Sequence, residues 1–425
     1  MQVQLRINRL FWILPAFLLY ACVESLSAPA TDAVVVSSFP TPTPFQPLPL
    51  ETQPPSFVEI APTYTPYPTR QVLGETLPTP ILVSPPLGGA ASEFRLLNTY
   101  NPLTGLPVAD PSLLERRPLA IKVANAPDYV RPQSGLSLAD VVYEYYIEWG
   151  DTRFIAVMYG NDSPMVGPVR SGRYFDEHVA RMYNAFLVFK FADPREYSYL
   201  KNSTLNEFLV VPGSSSCPPF AFGPEKKRDA YNNFFFNTTK WANCAARAGL
   251  DNSKPDLNGG FFAEDTGAGG VSAKRIYSFY SRYSYNYWEY DPVFRKYFRY
   301  QEANDIVGKK AEAYVPLFDA QTGLPVTAAN VVVLFVPHTF QNQFDAEDEV
   351  YHIDLIDSGS AYVFRDGYAV PAIWRRAGEN QPLLLTTLTG APIYLRPGQT
   401  FYQVMGFTSA YAQEGENWKF VFKTP

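Results

Sequence analysis

The apolar positions between residues 118 and 191 follow the patterns of short strands and of one amphipathic helix. Strands are predicted at residues 118–125, 141–148, 152–159 and 185–191. Phe175, Val179 and Met182 recur at helical intervals and predict a helix over residues 175–183. The last predicted strand is an almost unbroken apolar run, which is typical of a buried central strand. Together these elements predict an α/β domain.

Beyond residue 270 the pattern is that of strands alone. The strands predicted there lie around residues 277–290, 330–336, 360–364, 372–376, 383–388, 400–407 and 418–422. Turn signals such as Asp366-Gly367 separate them at short intervals, which predicts a mainly antiparallel β domain. Tyr277, Phe279 and Tyr287 share one face of the first strand. This face suits stacking on sugar rings, but we expect it to pack inside the protein, which is the commoner arrangement.

The first 21 residues have the layout of a secretory signal. Two arginines precede an apolar run over residues 10–20, which at about 1.5 Å per residue is far shorter than a hydrocarbon core of about 30 Å. Ala21 then stands before Cys22, as in the lipobox of bacterial lipoproteins. We therefore predict a signal peptide at residues 1–21, lipidation of Cys22, and export to the extracytoplasmic face of a membrane.

Residues 22–93 are rich in proline and threonine, as in the run PTPTP at residues 40–44. Proline removes backbone donors and fixes φ at about −65°, so no helical or strand period survives this density. Such a segment is an extended spacer of about 3.1 Å per residue. We predict a disordered stalk that carries two folded domains, an α/β domain at residues 94–255 and a β-rich domain at residues 270–425.

Composition narrows the classes of partner. The net charge is −6 and the pI is near 5.3, so we expect no nucleic acid partner. The chain has only three histidines and lacks a Cys/His metal-binding spacing, so neither a histidine-based nucleophile nor a metal site is expected, and no cofactor is predicted. Once Cys22 is lipidated, Cys217 and Cys244 remain. They form either a disulfide or two buried thiols, and the sequence favours neither.

Four arginines of the first domain are closely spaced and have acidic residues nearby. They are Arg131, Arg153, Arg170 and Arg173, with Ser171 beside the third and the acids Asp140, Glu144, Glu148 and Asp176 in the same region. Guanidinium groups present paired donors to carboxylate or phosphate oxygens and stay charged at any working pH. Arg170 and Ser171 also precede a predicted helix, whose first N–H groups favour anions. The pattern is equally compatible with an anion-binding site and with an internal network in which Arg153 pairs with Glu144.

Several ordered motifs resemble those of the YerB-like family of bacterial lipoproteins. In the first domain they are NPLTGL (residues 101–106), RPLAI (117–121), RPQSGL (131–136), ADVVYE (139–144), TRF (152–154) and GPVRS (167–171). In the second domain they are ANVVV (residues 329–333), GSA (359–361) and PGQT (397–400). The resemblance covers nearly everything after the stalk. It implies a two-domain lipoprotein of the cell envelope whose conserved region is a domain of unknown function, and it implies no reaction.

Two functions fit these features, and the sequence leaves open whether the chain is an enzyme. The first is a non-catalytic binding module, held to the membrane by its lipid, for an unidentified envelope protein or an anionic cell-wall glycan. The alternative is a metal-assisted phosphotransferase or hydrolase acting on a lipid-linked phosphorylated glycan, because Asp140, a hairpin and Arg170 follow an order similar to that of the LytR-CpsA-Psr family. That resemblance implies that Asp140 would hold Mg²⁺ and Arg170 would clamp a diphosphate. Arg131 and Arg173 would assist.

Overall fold

The computed structural model describes most of the chain after the predicted stalk. The described residues are 99–213, 216–224, 229–257, 260–266, 269–306, 310–341 and 349–425. The predicted signal peptide, the lipidation site Cys22 and the predicted stalk lie outside the described residues.

Short strands make up most of the described structure. They are β1 (Leu119–Ala124), β2 (Val141–Tyr146), β3 (Thr152–Met158), β4 (Phe186–Val188), β5 (Leu209–Val210), β6 (Phe220–Phe222), β7 (Phe234–Phe236), β8 (Val271–Ser272), β9 (Arg275–Phe279), β10 (Tyr285–Asp291), β11 (Lys296–Glu302), β12 (Tyr314–Pro316), β13 (Thr327–Ala328), β14 (Asn330–Val336), β15 (His338–Phe340), β16 (Tyr351–Ile353), β17 (Asp357–Arg365), β18 (Tyr368–Arg376), β19 (Leu384–Thr386), β20 (Thr400–Gly406), β21 (Ala410–Glu414) and β22 (Asn417–Val421).

Among the described residues, all the helices lie before residue 248. The α-helices are α1 (Tyr174–Met182), α2 (Pro194–Asn202) and α3 (Trp241–Arg247), and the 3₁₀ turns are Pro111–Glu115, Asp128–Val130, Leu136–Leu138, Asn206–Phe208 and Thr238–Lys240. Within the described ranges, no helix is both long enough and apolar enough to cross a bilayer.

The largest sheet runs through both halves of the chain. It has eleven strands, with the order β19-β18-β17-β14-β20-β2-β3-β1-β4-β5, and β8 pairs with β18. Strand β20 lies between β14 and β2 and is parallel to both. Beyond β2, strands β3 and β1 are antiparallel, whereas β1, β4 and β5 are parallel to one another. The two halves of the chain therefore share one sheet.

A second sheet, of order β12-β11-β10-β9-β22-β21 with β13 paired to β11, packs on one face of the large sheet. The rings of Trp288 on β10 and Phe401 on β20 are 4.7 Å apart between centroids, and those of Phe364 on β17 and Phe420 on β22 are 5.9 Å apart. Helix α1 covers the opposite face, where Phe175 packs 4.6 Å from Tyr145 of β2. Strands β1, β2, β3 and β14 are buried along their whole length because they have cover on both faces.

The tyrosine-rich face lies on the outer side of the second sheet, although Tyr277 itself is buried, as expected. Tyr277 of β9 stands opposite Tyr287 of β10, whereas Trp288 stands opposite Ile276. Because successive side chains of a strand alternate, the inward position of Trp288 turns Tyr277 and Tyr287 outward. Tyr287 then stacks on Tyr300 of β11 at 4.5 Å between ring centroids.

The architecture confirms the predicted fold class. In the first half, β4, α2 and β5 form a β-α-β unit with parallel strands, as an α/β fold requires. In the second half, each strand is antiparallel to the next within two series, β9-β10-β11 and β14-β17-β18-β19. The result is three layers, in which helices, the large sheet and the second sheet follow one another.

Candidate functional site

Arg170 lies at the carboxyl ends of the parallel strands β1 and β4. Its N–H donates to the carbonyl of Lys122 on β1 at 3.1 Å, and its carbonyl accepts from the N–H of Lys190, just after β4, at 2.9 Å. In sheets covered by helices, crevices outside the carboxyl ends of parallel strands are the usual place for ligands. The backbone therefore sets Arg170 where a side chain can meet a ligand.

The Arg170 side chain is held against an aromatic ring. Its guanidinium carbon lies 4.3 Å from the centre of the Tyr231 ring. The Nε and Nη1 atoms are buried and form no hydrogen bond with any described residue. Burial lowers the pKa of Arg170. A buried donor without an acceptor costs about 1–3 kcal/mol, and more when it is charged, so an anion that accepted these hydrogen bonds would relieve a substantial cost.

Arg153 brings a second guanidinium to the same place. It stands opposite Tyr145 of β2 and Ala124 of β1. It therefore points to the face that the helices cover. Its Nη1 donates to the carbonyl of Ser171 at 3.1 Å. Burial, and then the neighbouring charge of Arg173, lower the pKa of Arg153 to about 9. Burial is thus the main reason why the charged form of Arg153 is costly.

Tyr231 and Lys190 complete the arrangement. The Ser171 hydroxyl and the Tyr231 hydroxyl are 3.0 Å apart, and Lys190 Nζ lies 5.3 Å from the centre of the Tyr231 ring. Burial alone would raise the pKa of Tyr231, but the hydrogen bond with Ser171 and the charges of the nearby arginines outweigh it and lower the pKa. We call the following set the Arg170 cluster: Arg153, Arg170, Ser171, Arg173, Lys190 and Tyr231.

Acidic residues neutralise only part of the cluster. Arg173 Nε donates to Glu148 at 2.9 Å, and Arg173 Nη1 lies 3.7 Å from Glu196. Burial raises the pKa of Glu196 to about 7, so this carboxyl is protonated part of the time near neutral pH. Arg153, Arg170 and Lys190 form no ion pair with a described carboxylate. The cluster is therefore a positive site in an acidic protein.

Arg131, unlike Arg153 and Arg170, has a carboxylate partner among the described residues. Its Nε donates to the carbonyl of Asn125 at 3.1 Å, and its Nη1 donates to the carbonyl of Glu302 on β11, also at 3.1 Å. The Arg131 charge is paired with the Glu302 carboxylate. Arg131 therefore ties the loop after β1 to the second sheet, and its charge is already paired.

Glu144 does not pair with Arg153, so that part of the internal-network interpretation is wrong. In the register of β2 and β3, Glu144 stands opposite Phe154, one position from Arg153. One residue of offset turns a side chain to the other face of a sheet. Glu144 faces the second sheet instead and forms an ion pair of 2.9 Å with Arg299 of β11, in which both side chains are fully buried.

Asp140 lies at the opposite end of β2 from the cluster. Its carboxylate accepts hydrogen bonds from Asn101 Nδ2 at 2.7 Å and from the N–H groups of Tyr159 and Gly160 at 2.6 and 2.9 Å. Tyr145, the neighbour of Arg153, is roughly 17 Å further along the strand at about 3.4 Å per residue. Among the described residues, no group of three or more His, Cys, Asp and Glu side chains is placed to hold a metal ion.

Cys217 and Cys244 form a disulfide, with Cα atoms 5.6 Å apart. The bond links the segment before β6 to helix α3. Tyr231 lies in the connection between β6 and β7, so the disulfide restrains the hairpin that carries this member of the cluster.

Lys190 and Tyr231 were not identified as site residues from the sequence. Lys190 does have a local signal, because it is the one charged residue in the apolar run of residues 185–191. Tyr231 has none, since 60 positions separate it from Ser171 and no periodic pattern connects them. Only the fold brings it over Arg170.

The fold and the cluster define a two-domain protein, in which an α/β half carries a cationic site and a β-rich half completes the large sheet. Residues 103–251 match the N-terminal domain of DUF3048, a protein family of unknown function, and residues 276–402 match its C-terminal domain. The chain belongs to the DUF3048 family.

Two comparisons extend this result to a named relative. The chain is 24% identical over 304 residues to "Putative lipoprotein YerB" of Bacillus subtilis (strain 168), which covers 72% of this chain and 85% of the relative. It also resembles the crystal structure of the YerB protein from Bacillus subtilis, with a TM-score of 0.57 and 22% identity over 72% of this chain and 96% of that one. The structural likeness shows a shared fold. The resemblance to YerB-like proteins predicted from the motifs is thereby confirmed.

Proposed function

We propose that this protein is a lipid-anchored component of the cell envelope that binds an anionic ligand at the Arg170 cluster without changing it chemically. The observation that carries the proposal is the pair of buried Arg170 nitrogens, Nε and Nη1, that have no acceptor among the described residues. The ligand is an acidic group of an envelope glycan or envelope protein. No nucleic acid and no cofactor enter the proposal.

The chemistry of the cluster supports an oxyanion as the ligand. Hydrogen bonds from guanidinium to an anionic oxygen are shorter and roughly twice as strong as those between neutral groups. Arg170 supplies such donors, and Arg153 and Lys190, which form no ion pair with a described carboxylate, add positive charge. Burial keeps this charge from being screened by water, so an incoming anion gains more from it than it would at an exposed site.

The position of Asp140 favours binding over the metal-assisted alternative. A phosphotransferase of the kind considered above needs its metal-holding acid and its arginine clamp around the same diphosphate. Asp140 is separated from the cluster by most of the length of β2. Both its oxygens already accept hydrogen bonds.

Membrane anchoring is supported by the sequence around Cys22 and by the name of the Bacillus subtilis relative, which contains the word lipoprotein. Cys22→Ala is expected to abolish lipidation and to release the exported protein from the membrane fraction. Metabolic labelling with a radioactive fatty acid, followed by fractionation, measures both effects. Label that persists in the variant would contradict the anchor at Cys22.

Arg170→Ala is expected to weaken the binding of inorganic phosphate at least about tenfold, since it removes the donors that lack an acceptor. The melting temperature of the full chain, purified in mild detergent, should rise with phosphate because the ligand binds the native state, and the variant should lose most of this rise. Arg247→Ala, which removes an exposed arginine of α3, makes the same change of charge and should respond like the wild type.

Two results would contradict the anion site. A variant that responds to phosphate as the wild type does would mean that Arg170 binds no anion. A large loss of thermal stability in Arg170→Ala without phosphate would mean that the side chain serves the fold, as the internal-network interpretation requires.

A further inference from the structure

Phe191 has a solvent-exposed aromatic side chain beside the Arg170 cluster. Its side chain is 58% exposed. Its backbone φ of +60° lies in the left-handed region, which is a rare conformation for a bulky residue. A strained backbone costs free energy, and such strain gathers at ligand sites. Phe191 therefore combines an exposed ring with a rare backbone conformation beside the cluster.

The surrounding backbone holds Phe191 in this position. The N–H of Gly172 donates to the carbonyl of Phe191 at 2.9 Å, next to the bond between Lys190 and Arg170. A side chain at Gly172 would meet the Phe189 ring, because a Cβ atom there would lie 3.0 Å from it. The two segments are thus joined closely, and the backbone of Phe191 is held beside that of Arg170.

Phe191 and Tyr231 together form an aromatic wall beside the cationic groups. Their rings are parallel within 3°, with centroids 6.3 Å apart, and Tyr231 is 42% exposed. Lys190 Nζ lies 5.3 Å from the centre of each ring, and Arg170 lies over Tyr231. A ligand larger than a single anion can therefore contact a flat apolar surface while it meets these charges.

We infer that the ligand of the Arg170 cluster is an acidic sugar, in which a phosphate or carboxylate group meets Arg170 and Lys190 while the C–H face of the sugar ring packs on Phe191. The inference rests on the proposed function, because it names the ligand class of that same site. Sugar rings have one face made mostly of C–H groups, and covering it with an aromatic ring removes apolar area from water. A free inorganic anion would gain nothing from Phe191.

The inference is tested by comparing two probes, inorganic phosphate and glucose 1-phosphate, on the full chain and on Phe191→Ala. Calorimetric titration should give the wild type a tighter affinity for glucose 1-phosphate than for phosphate. Phe191→Ala should weaken the affinity for glucose 1-phosphate by about five- to tenfold and leave the affinity for phosphate unchanged, because only the ring contact is lost. Phe294→Ala, at a side chain that is 65% exposed and lies between β10 and β11, is the matched control and should change neither affinity.

The outcomes separate this inference from the proposed function. If Phe191→Ala leaves both affinities unchanged while Arg170→Ala abolishes both, the anion site stands and the sugar contact is wrong. If neither probe binds the wild type, the anion site itself is wrong. Uridine 5′-monophosphate is the third probe, and binding tighter than glucose 1-phosphate with the same dependence on Phe191 would replace the sugar by a nucleobase and overturn the assignment.

Discussion

Glu144→Gln is expected to destabilise the protein by about 3–5 kcal/mol, because it removes one partner of a fully buried ion pair. The Glu144 carboxylate lies 2.9 Å from Arg299 and also accepts hydrogen bonds from Thr152 at 2.9 Å and from Asn125 at 3.2 Å. Glutamine keeps the size of the side chain but leaves the Arg299 charge without a counter-charge between the two sheets. Equilibrium unfolding in urea at neutral pH measures the loss of free energy of unfolding.

Two further variants are compared with Glu144→Gln. Lys310→Ala breaks an exposed ion pair with Asp305 and should cost at most about 1 kcal/mol. The double variant Glu144→Leu, Arg299→Met removes both buried charges and should be more stable than Glu144→Gln, since a buried pair is often replaced by apolar residues at little cost. A loss below about 1 kcal/mol in Glu144→Gln would mean that water reaches the pair and that the sheets do not pack as described.

Local pattern was enough to predict many of the strands but not helix α2, and the pair Glu144 and Arg153 shows a second limit. Strand β14 is predicted at residues 330–336 and observed at Asn330–Val336. A short, unbroken apolar run between turn signals is typical of a buried strand. Arg153 and Glu144 were placed correctly on neighbouring strands. Which of them face each other depends on the register of the hairpin, and a change of one residue reverses the answer.

Only the site residues that lie close together in the sequence could be predicted as a group. Arg170, Ser171 and Arg173 are close in sequence, so their grouping needed no knowledge of the fold. Arg131 was expected in the same group, but its charge is paired with Glu302, a residue of the second sheet 171 positions away. Tyr231 lies in the site because of a contact between segments that are distant in the sequence, and the pairing of Arg131 is a contact of the same kind. Contacts between distant segments depend on packing, which no local period encodes.

The position of β20 has the largest consequence for how the chain folds. This strand, near the C-terminus, is hydrogen-bonded to β2 of the first half, with Val142 opposite Phe401 and Tyr143 opposite Tyr402. The Tyr143 and Tyr402 rings also stack, with centroids 4.5 Å apart. Without β20, strand β2 would become a free apolar edge, which invites aggregation. Strands from both predicted domains, residues 94–255 and 270–425, therefore belong to one continuous sheet.

Residues 94–255 expressed alone are accordingly expected not to fold. The fragment loses β20 beside β2. It also loses Phe401 and Arg299, which pack against Phe154, so the buried face of β2 and β3 becomes exposed. Near-UV circular dichroism and thermal unfolding should show no fixed aromatic packing and no cooperative transition. Residues 94–425 should show both. Co-expression of residues 94–255 with residues 256–425 should restore the cooperative transition, because the β2–β20 pairing can then form between the two pieces. A cooperative transition in the first fragment by itself would mean that the α/β half is an independent domain and that β20 is only added to its edge.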